Sequence, residues 1–328
     1  MPRSPVRLRE VAEAAGVTVS TASRALHRPE LVRPETRERV QAAARALGYV
    51  PNRMAQAIAT GRSQTIAFIL PDLHYGLFHT VAATAQAEAH ARKHDLVVVD
   101  SMASADREAA LIETIGAYAD GIILLWPQGH HTPSATDPPM VAIGRPLPGA
   151  HSVLLDQAFV VEEQLRHLRA LGHERILWTD GPDWYWGVRA RRRHARRLAC
   201  DYPFELSTPV DLSYEGGREI AETLDPSITA VMTMVDNQAL GVVAGLADRG
   251  LRVPDDVSVM GCNDVMWAYM ANPALTTLRS PFPEMGRAAV SLLLDAEPAT
   301  AGPQIIETMR SELVVRRSTA PPGGAPAV

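Results

Sequence analysis

From Thr65 onward, short apolar runs alternate with segments of helical periodicity, and this alternation narrows the fold more than any other feature. The runs fall at residues 65–70, 96–99, 121–125, 140–143, 174–179, 229–234 and 256–260. Between them lie the helical patterns 79–93, 106–118, 157–171, 214–224 and 236–249. Strands that alternate with helices build parallel sheets joined by right-handed crossovers. About 250 residues exceed what one open sheet needs at roughly 100–200 residues per domain, so two such lobes are expected. The fold class read from the chain is α/β, with a small all-α head before two doubly wound lobes.

The head has a different texture. Leu8, Val11, Ala12 and Ala15 share one helical face over residues 7–15. Gly16 breaks that pattern, and Thr18 can cap a second helix near 19–26 whose buried face is Ala22, Ala25 and Leu26. Pro34 suits the first position of a third helix, which runs to about Leu47 and stops at Gly48. Three short helices in this spacing describe a helix-turn-helix unit. Residues 1–61 carry ten Arg and five Glu with no Lys or Asp, a net of +5, so the rest of the −5 chain carries −10. A basic head on an acidic body fits a polyanion-binding module joined to a separate globular domain.

Other classes lack their signatures. No stretch approaches the ~20 apolar residues that span a bilayer. The first 25 residues mix arginines with Glu10 and Glu13 and hold no apolar core of a secretory signal, so a cytoplasmic protein without membrane contact is expected. Cys200 and Cys262 form neither a disulfide framework nor a zinc motif. No GxSxG, Walker A, GxGxxG after the first strand or metal-spaced His pair is present, so no enzyme, cofactor or metal is expected.

Ordered motifs along nearly the whole chain resemble the lactose-repressor family of bacterial transcription regulators. The head supplies Leu8-Arg9-Glu10-Val11-Ala12, Gly16-Val17-Thr18, Thr21-Ala22-Ser23-Arg24, Pro34-Glu35-Thr36-Arg37 and Gly48-Tyr49-Val50-Pro51-Asn52-Arg53. The body adds Pro71-Asp72, Asp120-Gly121, Leu171-Gly172-His173, Ala239-Leu240-Gly241, the run Val253 to Val259, and Leu275-Thr276-Thr277. The resemblance implies a DNA-binding head (1–50), a hinge helix or linker (51–61) and a two-lobed effector-binding and dimerisation domain (62–318) like a type I periplasmic binding protein. Lobe one would span about 62–155 plus 283–318, lobe two about 156–282, and 319–328 would be a disordered tail. The implied function is that of a repressor, a homodimer on a pseudo-palindromic double-stranded operator and so nucleoid-associated, controlled by a sugar or related metabolite between the lobes. No leucine heptad follows residue 310, so no tetramerising tail is expected.

The resemblance also assigns residues. Val19, Ser20 and Arg24 match base-reading positions, where Arg24 could donate to guanine O6 and N7. Arg7, Thr21, Ser23 and His27 match phosphate-holding positions; Arg7 and His27 stand where Thr and Asn are usual. Asn52, Arg53, Ala55 and Ile58 match the hinge, with Ile58 as the wedge for the minor groove in place of Leu.

The implied effector set is His74, Tyr75, Phe78, Trp126, Arg145, Trp184, Trp186, Arg189, Arg191, Asp211, Asp236 and Asn263. Phe78 is the aromatic retained after the first body strand, and Trp184-Tyr185-Trp186 reads as a stacking wall in a loop. Arg191 is favoured as the ligand arginine, with Arg189 next, and Asn263 replaces a usual Asp.

Residues 53–59 form too short a helix to be stable alone in water. The hinge is therefore expected to order only with a partner hinge and DNA. Ala55→Gly should weaken operator binding by ~1 kcal/mol through lost helix propensity, with effector affinity of the free protein unchanged. Hydrogen exchange over 52–59 checks the cause, because equal protection with and without DNA would mean a preformed hinge.

Overall fold

The computed structural model describes residues 6–49, 63–134, 136–183, 185–200, 204–299 and 302–323. The chain divides into two compact units, one up to Ser63 and one from Gln64. The expected hinge, 51–61, lies outside the described residues.

In the first unit, α1 is Leu8–Ala14, α2 is Val19–His27 and α3 is Pro34–Leu47, with a 3-10 turn at Pro29–Leu31. The Thr18 hydroxyl accepts from the Thr21 N–H at 3.2 Å, which starts α2 where its side chain can satisfy an orphan donor. Pro34 opens α3, and Gly48 ends it in the left-handed region. Val11, Ala12, Ala15, Ala22, Ala25, Val40 and Ala44 form the core. Mostly small side chains let three short helices approach closely, and the outer face of α2 is left to solvent.

In the second unit, lobe one begins with β1 (Thr65–Leu70), α4 (Gly76–Ala91), β2 (Asp95–Asp100), α5 (Ala105–Gly116), β3 (Gly121–Leu125), β4 (Met140–Ile143) and β5 (His151–Leu155). Lobe two follows with α6 (Gln157–Ala170), β6 (Ile176–Asp180), α7 (Trp186–Leu198), β7 (Glu205–Pro209), α8 (Tyr214–Thr223), β8 (Ala230–Met232), α9 (Asp236–Asp248), β9 (Ser258–Met260), α10 (Met266–Met270) and β10 (Thr277–Arg279). The chain then returns through α11 (Phe282–Asp295) and β11 (Ile306–Met309) before β12 (Glu312–Val314).

The lobe-one sheet has the order β11-β5-β4-β3-β1-β2, with every pair parallel. Its inner strands β1, β3 and β4 are apolar on both faces because both faces are covered. Ile66, Phe68 and Leu70 face α4 and α11, while Ala67 and Ile69 face Ile112 and Ile115 of α5. The lobe-two sheet, β7-β6-β8-β9, is also parallel and repeats the scheme. Trp178 and Met232 pack toward α6 and α7, and Leu177, Val231 and Val259 toward α8 and α9.

One expected boundary is corrected. Residues after about 283 do return to lobe one, but only as far as Met309, where β11 pairs with β5. The chain then crosses a third time, and β12 pairs antiparallel with β10. Ser318 O accepts from Val259 N at 2.8 Å, and Ala320 O accepts from the His173 ring at 2.8 Å. Residues 319–323 are thus part of lobe two rather than of a disordered tail; 324–328 lie outside the described residues. The reason is an open sheet edge. The backbone of β9 needs a partner, and the tail segment supplies it with polar side chains that show no apolar period.

A close approach in lobe two is enforced by glycine. A Cβ on Gly241 of α9 would lie 1.9 Å from the Tyr214 carbonyl oxygen of α8. That acceptor is backbone, so the helices would have to separate. Gly241→Ala should destabilise the protein by about 1–3 kcal/mol, read as a lower urea midpoint; an unchanged midpoint would contradict this packing.

Candidate functional site

The outer face of α2 carries the sequence-predicted DNA-reading set. Val19 is 46% exposed, and Ser20 and Arg24 are exposed one turn apart. The Arg24 Nε donates to Ser20 O at 3.2 Å, which lays its side chain along that face. Ser20 and Thr21 each share a hydroxyl hydrogen bond of 2.9 Å with Thr18. Their hydroxyls therefore belong to the cap network as well as to the surface. Ser23 is half-buried beside them, and Arg7 is exposed at the start of α1. The His27 side chain lies outside the described residues, as do Asn52, Arg53, Ala55 and Ile58.

In the second unit, a cavity of about 350 Å³ opens between the lobes at the carboxyl ends of the parallel strands. Lobe one contributes Tyr75, Leu77 and Phe78 after β1 and Trp126 and Gln128 after β3. Lobe two contributes Tyr185, Arg191, Asp211, Met234 and Asn263. Leu155, Gln157 and Phe282 come from segments where the chain passes between lobes.

Four aromatics form a continuous wall. Ring centroids are 4.9 Å apart for Tyr75 and Phe78, 5.2 Å for Phe78 and Trp126, and 5.8 Å for Trp126 and Phe282. The Trp126 indole lies on Gly144, where a Cβ would sit 2.6 Å from the ring and where φ is +84°. Trp126, Ala103 and Asn263 all line the cavity with positive φ, at 45°, 51° and 113°. Such backbone is costly for residues with a Cβ and concentrates at functional sites.

Burial pushes the Tyr75 phenol up to about 12, with Asp236 adding to the shift and Arg191 opposing it. Burial raises Tyr185 as well. Both hydroxyls stay protonated at neutral pH and can donate. Arg191 is 6% exposed, and its Nε donates to Gln157 Oε1 at 2.6 Å and its Nη1 to Met234 O at 2.7 Å.

Of the sequence-predicted effector residues, Tyr75, Phe78, Trp126, Arg191, Asp211 and Asn263 come together around the cavity. His74 does not; its side chain is 96% exposed and pairs with Asp72 at 3.0 Å. Arg145 donates to the Gly129 carbonyl, and burial lowers its pKa. Arg189 donates to the Asp183 carbonyl, and Trp186 is the first residue of α7, outside the lining. Trp184 lies outside the described residues. Of the described members of the Trp-Tyr-Trp run, Tyr185 reaches the cavity and Trp186 does not. Gln157, Met234 and Phe282 were not anticipated; only Gln157, one residue after the Asp156 helix cap, left a local trace in the sequence.

Asp236 is not a lining residue but a buried brace. Its backbone N–H donates to Cys262 O at 2.9 Å, and its carboxylate accepts from Thr277 Oγ1 at 2.6 Å and Val265 N at 2.9 Å. These bonds fix the turn that carries Asn263.

An exposed capped helix in a small helical head, and a cleft between two parallel-sheet lobes, define a helix-turn-helix regulator with a periplasmic-binding-protein-like body. The model of the lacI family of bacterial regulatory proteins matches residues 7–52, and that of the periplasmic binding protein-like domain matches 165–319. The regulator GalS of Salmonella typhimurium is 30% identical over 337 residues, covering 96% of this chain and 97% of the relative. The repressor CytR of Escherichia coli is 29% identical, over 95% of this chain and 96% of the relative. The crystal structure of the lac repressor dimer bound to operator and the anti-inducer ONPF superposes with a TM-score of 0.84 at 25% identity, covering 97% of this chain and 100% of that one. This chain belongs to the lacI family of bacterial regulatory proteins and is a DNA-binding transcriptional regulator, not an enzyme. No described helix is long and apolar enough to cross a membrane.

Burial pushes the Asp236 carboxyl up to about 6 from its ordinary 3.8. The native state then holds this proton more tightly than the unfolded chain, so stability falls as pH rises from about 4 to about 6. The loss attributable to Asp236 should be roughly 2–3 kcal/mol. Urea unfolding across that window should show this segment in the wild type and lack it in Asp236→Asn; identical profiles would remove Asp236 as its source.

Proposed function

We propose that this regulator is a repressor that binds a pseudo-palindromic operator as a homodimer, with its DNA affinity set by a small molecule in the cleft. It acts in the cytoplasm, at the nucleoid. The observation that carries this reading is a cavity lined by both lobes, in the same chain as a helix whose exposed face holds Val19, Ser20 and Arg24. Val19 meets a thymine methyl, Ser20 and Arg24 meet base edges, and Arg7, Thr21, Ser23 and His27 hold phosphates. Residues 51–61, with Asn52, Arg53, Ala55 and Ile58, form the hinge that enters the minor groove between the head (1–50) and the body.

Dimerisation is supported by exposed apolar surface on both lobes. The edge strand β2 exposes Val97 and Val98, and α10 exposes Met266, Trp267, Tyr269 and Met270. Clusters of this kind mark association sites. Each head offers one short reading helix, and paired half-sites multiply its affinity. The effector is a sugar or related metabolite that contacts Tyr75, Phe78, Trp126, Arg191, Asp211 and Asn263. It acts by binding the DNA-competent and DNA-incompetent states unequally.

The test is selection of binding sites from a random DNA pool, followed by titration at several salt concentrations. Two inverted half-sites should emerge, and light scattering should give a dimer. Arg24→Ala should cost about 1–3 kcal/mol at one base of each half-site and leave non-specific affinity little changed. Equal losses on specific and random DNA would remove Arg24 as a base reader, and a monomer that binds tightly would overturn the dimer.

A further inference from the structure

The cavity described above contains a charge that the protein does not neutralise. Arg191 is buried, and its hydrogen-bond partners, the Gln157 amide oxygen, the Met234 carbonyl and the Cys262 thiol, are all neutral. Among the described residues no carboxylate forms an ion pair with it. Asp236 lies outside the lining, with its oxygens engaged by Thr277 and Val265. The rim carboxylates face water: Asp211 is exposed, and the Asp72 side chain is half exposed and paired with His74. A buried cation without a counter-charge is costly unless something supplies one.

The rest of the cavity says what body that counter-charge rides on. The wall of Tyr75, Phe78, Trp126 and Phe282 is a continuous apolar surface of mutually tilted rings that can take the face or edge of a ligand ring. Of the buried acceptors around Arg191, the oxygens of Gln157 and Met234 are engaged by Arg191 itself, and Asn263 Oδ1 accepts from Cys262 and Ser280. One guanidinium balances one negative charge, which fits a carboxylate better than a doubly charged phosphate ester.

We propose that the effector is a ring-bearing carboxylic acid, its carboxylate paired with Arg191 and its ring laid against the aromatic wall. This rests on the reading of the cleft as the effector site and narrows the metabolite to an acid. Selectivity comes from charge. A neutral analogue of the same shape leaves the guanidinium buried without a partner, and such mismatches discriminate strongly.

Two substitutions bracket the idea. Arg191→Gln removes the cation. Asn263→Asp adds an internal anion nearby, because the Cys262 thiol beside Arg191 donates to Asn263 Oδ1 at 3.6 Å. The built-in carboxylate should compete with the ligand's.

The experiment is thermal-shift and calorimetric titration of the full chain with matched pairs. These are glucuronate and glucose, galacturonate and galactose, and 4-hydroxybenzoate and 4-hydroxybenzamide, with glucose 6-phosphate as the dianion. At least one acid should raise Tm in a concentration-dependent way and bind about tenfold or more tighter than its neutral partner. Arg191→Gln and Asn263→Asp should each erase that preference. If Arg191→Gln does not fold, Asn263→Asp decides alone. Neutral partners that bind as well as the acids, a preference for the phosphate ester, no binding by any acid at millimolar concentration, or an unchanged preference in Asn263→Asp would each overturn the proposal. Titrating the selected DNA in parallel separates the two readings. A neutral ligand that shifts DNA affinity would sink the acid and keep the regulator. An acid that binds without shifting DNA affinity would keep the acid and sink the switch.

Discussion

The geometry of the cleft depends on three strands of chain bonded side by side where they pass between the lobes. Asp156 N donates to Met309 O at 2.8 Å, joining the first pass to the third. The Arg310 Nε donates to Asp156 Oδ2 at 3.2 Å, and its guanidinium lies 5.0 Å from the centroid of the Phe159 ring. The Ser280 hydroxyl joins the second pass to the third through Ser311 at 3.4 Å, and reaches Asn263 Oδ1 at 3.2 Å. Each lobe is a covered parallel sheet with its own packed core, so it resists internal distortion. A change in the angle between the lobes must then be absorbed at these passes. The cavity lies against them, with Leu155, Gln157 and Phe282 in its lining. A ligand there touches both lobes and the pivot, which is what coupling of binding to lobe angle requires.

Much of this plan was legible because it rests on local periodicity. The runs 65–70, 121–125 and 140–143 are strands as read, since a strand buried on both faces has no alternative to a continuous apolar sequence. Thr18, Pro34 and Gly48 marked helix ends because each acts on its own backbone. The β7 strand was not read; its Glu205–Pro209 segment is an exposed edge strand with no apolar run to signal it. Nor was the third pass. Ser318, Thr319 and Ala320 are held by backbone and hydroxyl bonds to Val259, His167 and His173, far away in sequence. Polar pairing across such distances leaves no period.

The candidate site was legible in kind but not in every residue. Aromatics in loops after strands were the right signal for the cleft, and Tyr75, Phe78 and Trp126 line it. Sequence could not tell Tyr185 from Trp186 as the inward-facing aromatic, because the start of α7 at Trp186 sets their orientation. It could not separate Arg189 from Arg191 by composition either. Their difference is helical phase: Arg191 points into the buried side, where Gln157 and Met234 meet it, and Arg189 turns out toward Asp183. Asp236 misled for the opposite reason. A carboxylate at a helix start beside a cleft looks like a ligand group, but its two oxygens accept from Thr277 and Val265 within the protein.

That contrast between Asp236 and Arg191 explains how the cleft stays selective while the lobes remain stable. Asp236 is buried with its acceptors satisfied, and it spends its charge on holding the Asn263 turn. Arg191 is buried with only neutral acceptors, so its position is fixed and its charge is left to be met from the cavity. A site whose cation is already oriented loses little entropy when its counter-charge arrives. The same arrangement disfavours an empty closed cleft, because closing it removes water from the guanidinium without replacing it. Ligand charge and lobe closure are then coupled by desolvation itself, through one buried arginine and its neutral acceptors.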